Sequence, residues 1–149
     1  MKRRLASAAV GIPVLILAVY LGVPAVGVIA ILAALIGGYE IGRMAAPAVG
    51  HINVFLVIMP AAVVGAGLVA ALQEREWWYV SAALVAGVVP AAAFEAARRA
   101  RDELSFGGLL AAVYLGLLLA HAPLLRSLEH GRSWLLIALL TTFAVDTAA

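Results

Sequence analysis

The sequence predicts an all-α integral membrane protein, and its composition, hydropathy and segmentation lead to that prediction. Of its 149 residues, 66% are hydrophobic and 12% are charged, whereas an average soluble domain has roughly 45–50% apolar and about 25% charged residues. The mean hydropathy is +1.11. Its apolar runs approach the length of about 20 residues that one bilayer-spanning helix needs. A chain this apolar cannot cover a water-soluble surface, and disordered chains are poor in apolar residues.

We expect about six transmembrane helices in a single domain that covers residues 1–149. Gly22, Val23 and Pro24 separate the first two helices, and Pro47 and Gly50 mark a loop after the second. A polar stretch from Glu95 to Ser105 separates the fourth from the fifth. The expected spans are Leu5–Leu21, Ala25–Gly42, Ile52–Leu72, Trp77–Phe94, Phe106–Leu125 and a sixth that begins at Trp134.

The basic residues are divided unequally between the two sides of this topology. Positive charge accumulates in cytoplasmic loops. The side with more basic residues includes the amino terminus, which we therefore expect to be cytoplasmic. We expect a multi-pass protein of the cell inner (plasma) membrane. The net charge of +2 then reflects topology and requires no nucleic-acid partner. The predicted inner side carries Lys2, Arg3, Arg4, Arg43, Arg98, Arg99 and Arg101, and the outer side carries Arg75, Arg126 and Arg132.

The sixth helix is predicted to run inward and to stop inside the membrane. Ala149 lies about 22 Å along it from Trp134, short of a crossing of about 30 Å. We therefore expect the sequence to be truncated within its last helix.

Asp146 is the first candidate for chemistry, because it lies in the inner half of the sixth helix. A buried carboxylate is costly unless it is paired or bound to a cation, and acids inside membranes are usually functional. Thr141, Thr142 and Thr147 make the same region polar. We favour a metal or proton ligand at a cytoplasmic-facing cavity; the alternative is a structural partner for a basic residue beyond Ala149.

Other polar residues are better explained by structure. Glu40 and Arg43 are three residues apart on the second helix and are expected to form an ion pair. Arg98, Arg99 and Arg101 would fix topology, or bind an anionic headgroup or a nucleotide phosphate.

The start and the end of the sequence together resemble the phosphatidate cytidylyltransferases, the CDP-diacylglycerol synthases. The similar residues are Lys2-Arg3-Arg4, the segment from Tyr39 to Met44 (YEIGRM) and, above all, the segment from Thr141 to Ala149 (TTFAVDTAA). The last is similar to the family's Ala/Val-Asp-Thr-Ala/Gly-Ala-Tyr stretch. The resemblance covers the amino-terminal half of that family, and its later Ser-Pro-Lys-Lys-Thr-Trp-Glu-Gly and Lys-Arg…Lys-Asp segments are not in this sequence.

The resemblance implies an enzyme that condenses CTP with phosphatidate to give CDP-diacylglycerol and pyrophosphate in phospholipid biosynthesis. It implies Mg²⁺ as cofactor with Asp146 among its ligands, a homodimer as a possible assembly, and no activity from this segment alone. Two alternatives remain at this point: part of a secondary transporter or channel with Asp146 as ion site, or a non-catalytic membrane scaffold.

Overall fold

The predicted all-helical class is confirmed. The computed structural model describes residues 2–49, 54–73, 78, 82 and 104–148, with side chains in 11–44, 54, 56–73, 78, 82 and 110–145. Five helices and no strand occur in these ranges. The helices are α1 (Lys2–Leu21), α2 (Val23–Val49), α3 (Val54–Leu72), α4 (Leu104–Ser127) and α5 (Gly131–Ala148).

A single residue, Gly22, separates α1 from α2, whereas the sequence predicted a break of three residues; Val23 and Pro24 open α2, where proline is tolerated because the first amides of a helix have no partner within it. Its φ is +108°, a conformation that costs an L side chain energy but not glycine. The Gly22 amide still donates to the Ala18 carbonyl, and the Gly22 carbonyl accepts from the Val26 amide, each at 3.2 Å. The chain therefore changes direction without leaving these backbone groups unbonded.

The helices differ from the predicted spans at several ends, among them the first, which begins at Lys2 rather than at Leu5. The predicted loop at Pro47 is helical, since α2 continues to Val49. A proline this close to a helix end forfeits one amide bond, to the carbonyl four residues earlier, and the helix tolerates that loss. The last helix begins at Gly131 rather than at Trp134, because the turn closes early with a 2.8 Å bond from the Gly131 amide to the Leu128 carbonyl.

The fourth predicted span, Trp77–Phe94, lies outside the described residues except for Trp78 and Ala82, both of which are helical. By length and composition, two described helical segments, Val23–Met44 and Leu110–Ser127, are long and apolar enough to cross a membrane. Shorter apolar segments occur in the other three helices. The number of spans and the cytoplasmic amino terminus stay predictions.

The helices run in two directions between two ends of the bundle. Gly38 approaches Leu56 and Gly27 approaches Leu68, so α2 and α3 are antiparallel. Pro60 approaches Gly116 and Gly67 approaches Ala120, so α3 and α4 are parallel. We name the end with Gly22, Leu72 and Ser127 the Gly22 end, and the opposite end, with Arg43 and the start of α4, the Arg43 end.

Helices α2, α3 and α4 form the core, and they pack backbone against backbone. Pro60 of α3 is fully buried, and because it lacks an amide hydrogen, the Leu56 carbonyl has no partner within the helix. Gly38 of α2 lies against that carbonyl: a Cβ there would stand 2.7 Å from the Leu56 oxygen. From the other side, a Cβ on Gly116 would stand 3.0 Å from the Pro60 Cα. Small residues allow this close approach.

Helices α1 and α5 pack on the outside of this core at the Gly22 end. Their contacts centre on Val19 of α1, Val26 of α2 and Leu135 of α5, which form one buried cluster. Partly buried Leu136 and Leu139 extend the contact along α5.

Large apolar side chains face outward on every helix. One from each of the five helices is between 54% and 58% exposed: Leu17, Leu32, Ile58, Leu118 and Ile137. Soluble monomers rarely expose apolar surface on this scale. The surface is therefore compatible with a membrane protein.

Candidate functional site

The predicted metal ligand, Asp146, lies near the end of α5, about 22 Å along the helix from Gly131. Because α5 runs away from the Gly22 end, this position lies toward the Arg43 end, which is the predicted cytoplasmic side. The Asp146 side chain is outside the described residues, so its role as a ligand stays a prediction.

Two of the three threonines predicted beside Asp146 are on the surface of α5, and the side chain of the third, Thr147, lies outside the described residues. Thr141 and Thr142 are both exposed, and the Thr142 hydroxyl donates to the Ala138 carbonyl at 2.9 Å. This bond lies within the helix, so the hydroxyl is satisfied without a neighbouring helix. Its oxygen keeps lone pairs that can accept a hydrogen bond or face a cation.

The end of α5 is open where it is described. Leu140 and Val145, on either side of these threonines, are 54% and 62% exposed. Leu135, Leu136 and Leu139, which hold α5 against the bundle, all lie nearer its start.

The kinds of oxygen ligand near the end of α5 suit Mg²⁺, but there are too few of them among the described residues to complete a site. Mg²⁺ prefers carboxylate, hydroxyl and water oxygens, and Asp146 with the adjacent threonines supplies the first two kinds. Among the described residues, no group of three or more His, Cys, Asp and Glu side chains could hold a metal ion. Asp146 would thus contribute one ligand to a site that needs others.

The remaining predicted residues are not brought together by the described structure. Glu40 and Arg43 are both exposed, and no ion pair joins these two described side chains, so a structural role for them stays a prediction. Arg98, Arg99 and Arg101 lie outside the described residues.

His121 forms a hydrogen bond within its own helix. Its Nδ1 lies 2.6 Å from the Leu117 carbonyl oxygen. Since a carbonyl only accepts, Nδ1 carries the proton in this arrangement. The ring is exposed.

Two arginines at the Gly22 end were not singled out by the sequence as anything beyond topology signals. The Arg126 Nε donates to the Val19 carbonyl at 2.9 Å, across 107 residues of sequence. The Arg132 guanidinium lies 5.2 Å from the centre of the Tyr20 ring. The sequence gives one indication of these contacts. Arg126 is in the last turn of α4, where cations are favoured because they interact with the free carbonyls of a helix C-terminus.

A cavity of about 290 Å³ lies between α1, α2, α4 and α5. Its walls consist of Ala, Val, Ile and Leu side chains, and they include Val19, whose carbonyl accepts the hydrogen bond from Arg126. No sequence pattern indicated this cavity, since its walls come from four separate helices.

Comparison with known families gives one match across the whole bundle. The model of the cytidylyltransferase family matches residues 2–149, which include all five helices and the Asp146 segment. No curated protein and no solved structure matches the chain significantly.

Proposed function

Because the chain belongs to the cytidylyltransferase family, we propose that it forms the membrane-embedded part of an enzyme that condenses CTP with phosphatidate. The products are CDP-diacylglycerol and pyrophosphate. The observation that carries this proposal is the family match over residues 2–149, which includes the Asp-Thr stretch of α5. The match favours the transferase over a transporter with Asp146 as its ion site.

The outward-facing apolar side chains support placing the bundle in a bilayer. Phosphatidate is itself a membrane lipid. An enzyme whose helices lie in the bilayer can therefore bind it without extracting it from the membrane. The Arg43 end, which carries Arg43 and the start of α4, is the end that the positive-inside rule assigns to the cytosol. CTP is cytosolic, and the position of Asp146 toward this end agrees with that assignment.

In the proposed reaction, an oxygen of the phosphatidate phosphate attacks the α-phosphorus of CTP. A new phosphorus–oxygen bond forms, the bond to the β-phosphate oxygen breaks, and pyrophosphate leaves. Bound Mg²⁺ would supply charge neutralisation on the phosphate oxygens. The Asp146 carboxylate would help to hold the Mg²⁺ at the depth in the membrane where the lipid phosphate lies. Arg98, Arg99 and Arg101 would attract the anionic substrates.

The test is CTP-dependent formation of CDP-diacylglycerol by the full-length protein with Asp146→Asn. Asn keeps the size of the side chain but removes its charge, and we expect turnover to fall about 100-fold or more, the scale of losing one electrostatic group at such a site. The control is Glu129→Gln, an exposed acid at the opposite end, which should leave turnover unchanged.

Undiminished turnover by Asp146→Asn would remove this residue from the site. Absence of CDP-diacylglycerol formation by the unmodified full-length protein, folded and supplied with Mg²⁺, would overturn the proposed function itself. The 149-residue segment alone is expected to be inactive, because it offers one plausible metal ligand.

A further inference from the structure

The apolar cavity at the Gly22 end has the properties of a site for hydrocarbon. A water molecule in a cavity needs two to four polar partners, and an aliphatic cavity of roughly 150 Å³ stays dry and binds apolar molecules. This cavity holds about 290 Å³, and side chains of Leu15, Ala33 and Leu139 are among its purely aliphatic walls. Space of this kind is stabilised by an apolar occupant.

The cavity is long enough to take part of one acyl chain. On α2 its walls reach from Val26 to Ala33. These two residues are seven positions apart, or about 10 Å along the helix. Half of the hydrocarbon core of a bilayer is about 15 Å thick, so the cavity spans about two thirds of one leaflet.

Two cations contact α1 beside this cavity, one at Val19, which lines it, and one at the next residue, Tyr20. Arg126 is held by its bond from Nε to the Val19 carbonyl, and its two terminal amino groups have no other hydrogen bond to a described residue. Arg132 is held against the Tyr20 ring, one residue further along α1. The neighbouring acid, Glu129, is exposed and makes no ion pair with either arginine in the described structure.

We infer that the Gly22 end binds an anionic phospholipid, with one acyl chain in the cavity and the phosphate beside Arg126 and Arg132. An arginine fixed through Nε still presents its terminal amino groups, which suit phosphate oxygens. The lipid fills the dry space between α1, α2, α4 and α5. The site lies at the end opposite to Asp146, so it is separate from the site of the proposed reaction. The inference rests on the proposed function only for the placement of the bundle in a membrane.

The test compares two lipids with the same tails, dioleoyl phosphatidylglycerol (anionic) and dioleoyl phosphatidylcholine (zwitterionic). Their affinities for the purified full-length protein are measured by native mass spectrometry without CTP or phosphatidate. We expect tighter binding of phosphatidylglycerol. Arg132→Gln should reduce this preference about fivefold, since one basic residue near a lipid surface contributes about that much. Arg43→Gln removes the same charge at the other end and should leave binding at this site unchanged.

The cavity is tested separately from the charge. Ala33→Phe places a ring in the cavity, and we expect both lipids to bind about tenfold more weakly, equivalent to losing burial of about two methylene groups. Ala62→Phe, on an exposed position of α3 outside the cavity walls, should change neither affinity. Circular dichroism confirms that each variant is folded, and Arg132→Met, which also removes the charge, replaces Arg132→Gln if the latter does not fold.

Equal affinity for the two lipids, or unchanged binding by Ala33→Phe, would overturn the inference. Binding of glycerol 3-phosphate as tight as that of the lipid would also overturn it, because the site would then hold phosphate without a tail. The outcome is independent of the reaction. An active enzyme without lipid preference contradicts this inference alone, and an inactive protein with the preference contradicts the proposed function alone.

Discussion

The three-helix core and the α1–α5 pair pack in different ways. In the core, Gly38 and Gly116 bring α2 and α4 onto the backbone of α3 around the buried Pro60. In the outer pair, Val19 and Leu135 meet side chain to side chain and leave a cavity beside them. Close backbone contact gives a rigid support, whereas looser contact leaves space that a second molecule can occupy. The candidate site residue Asp146 also belongs to the loosely packed region.

The largest effect on this contrast is expected from Gly38→Ala. The added methyl group would stand 2.7 Å from the Leu56 carbonyl oxygen, so α2 and α3 must separate. We expect the free energy of unfolding to fall by about 2–3 kcal/mol, as in overpacked cores. Denaturant titration in detergent micelles, followed by circular dichroism, measures it.

The matched control is Gly65→Ala, also on α3 but with no atom within 4 Å of the added methyl group. Alanine favours a helix over glycine by about 1 kcal/mol, so this variant should be slightly more stable. Equal effects of the two variants would contradict close packing at Gly38.

A smaller effect is expected where the outer helix joins the core. Gly22→Ala forces an L side chain into a φ of +108°, which costs about 1–2 kcal/mol. The thermal unfolding midpoint of the variant should fall. Gly11→Ala, inside α1 and free of neighbours, provides the comparison and should raise the midpoint or leave it unchanged; a fall in both would show that α1 tolerates no added methyl group.

The smallest effect is expected at the exposed contact between the outer helices. Tyr20→Leu removes the ring under Arg132 and should lower the free energy of unfolding by about 0.5–1 kcal/mol. Tyr114→Leu, at an exposed ring of α4, tests whether loss of any surface tyrosine has the same effect. If both variants lose equal stability, the contact with Arg132 contributes nothing specific.

Sequence reasoning succeeded where one local signal decides the structure. The all-helical class follows from composition, and the breaks at Gly22 and after Leu72 follow from a glycine and from the polar residue Gln73. It failed at Pro47, because a proline near a helix end removes only one bond and does not dictate where the helix stops.

Contacts between residues of different helices could not be predicted from the sequence. The close contact of Gly38 with Leu56 depends on how α3 is placed. The bond from Arg126 to Val19 joins residues 107 positions apart. Asp146 was found because an acid in an apolar run is costly in itself, while the groups that would surround it depend on tertiary structure.

Gly22 is the single residue between α1 and α2, so its backbone angles set the direction of the whole of α1. Helix α1 runs from Lys2 to Leu21 and is about 28 Å long. A change of about 10° in the angle at Gly22 therefore moves the basic start of α1 by about 5 Å. Leu15 and Val19 of α1 form part of the cavity wall, so the direction that Gly22 gives to α1 also sets the width of the cavity.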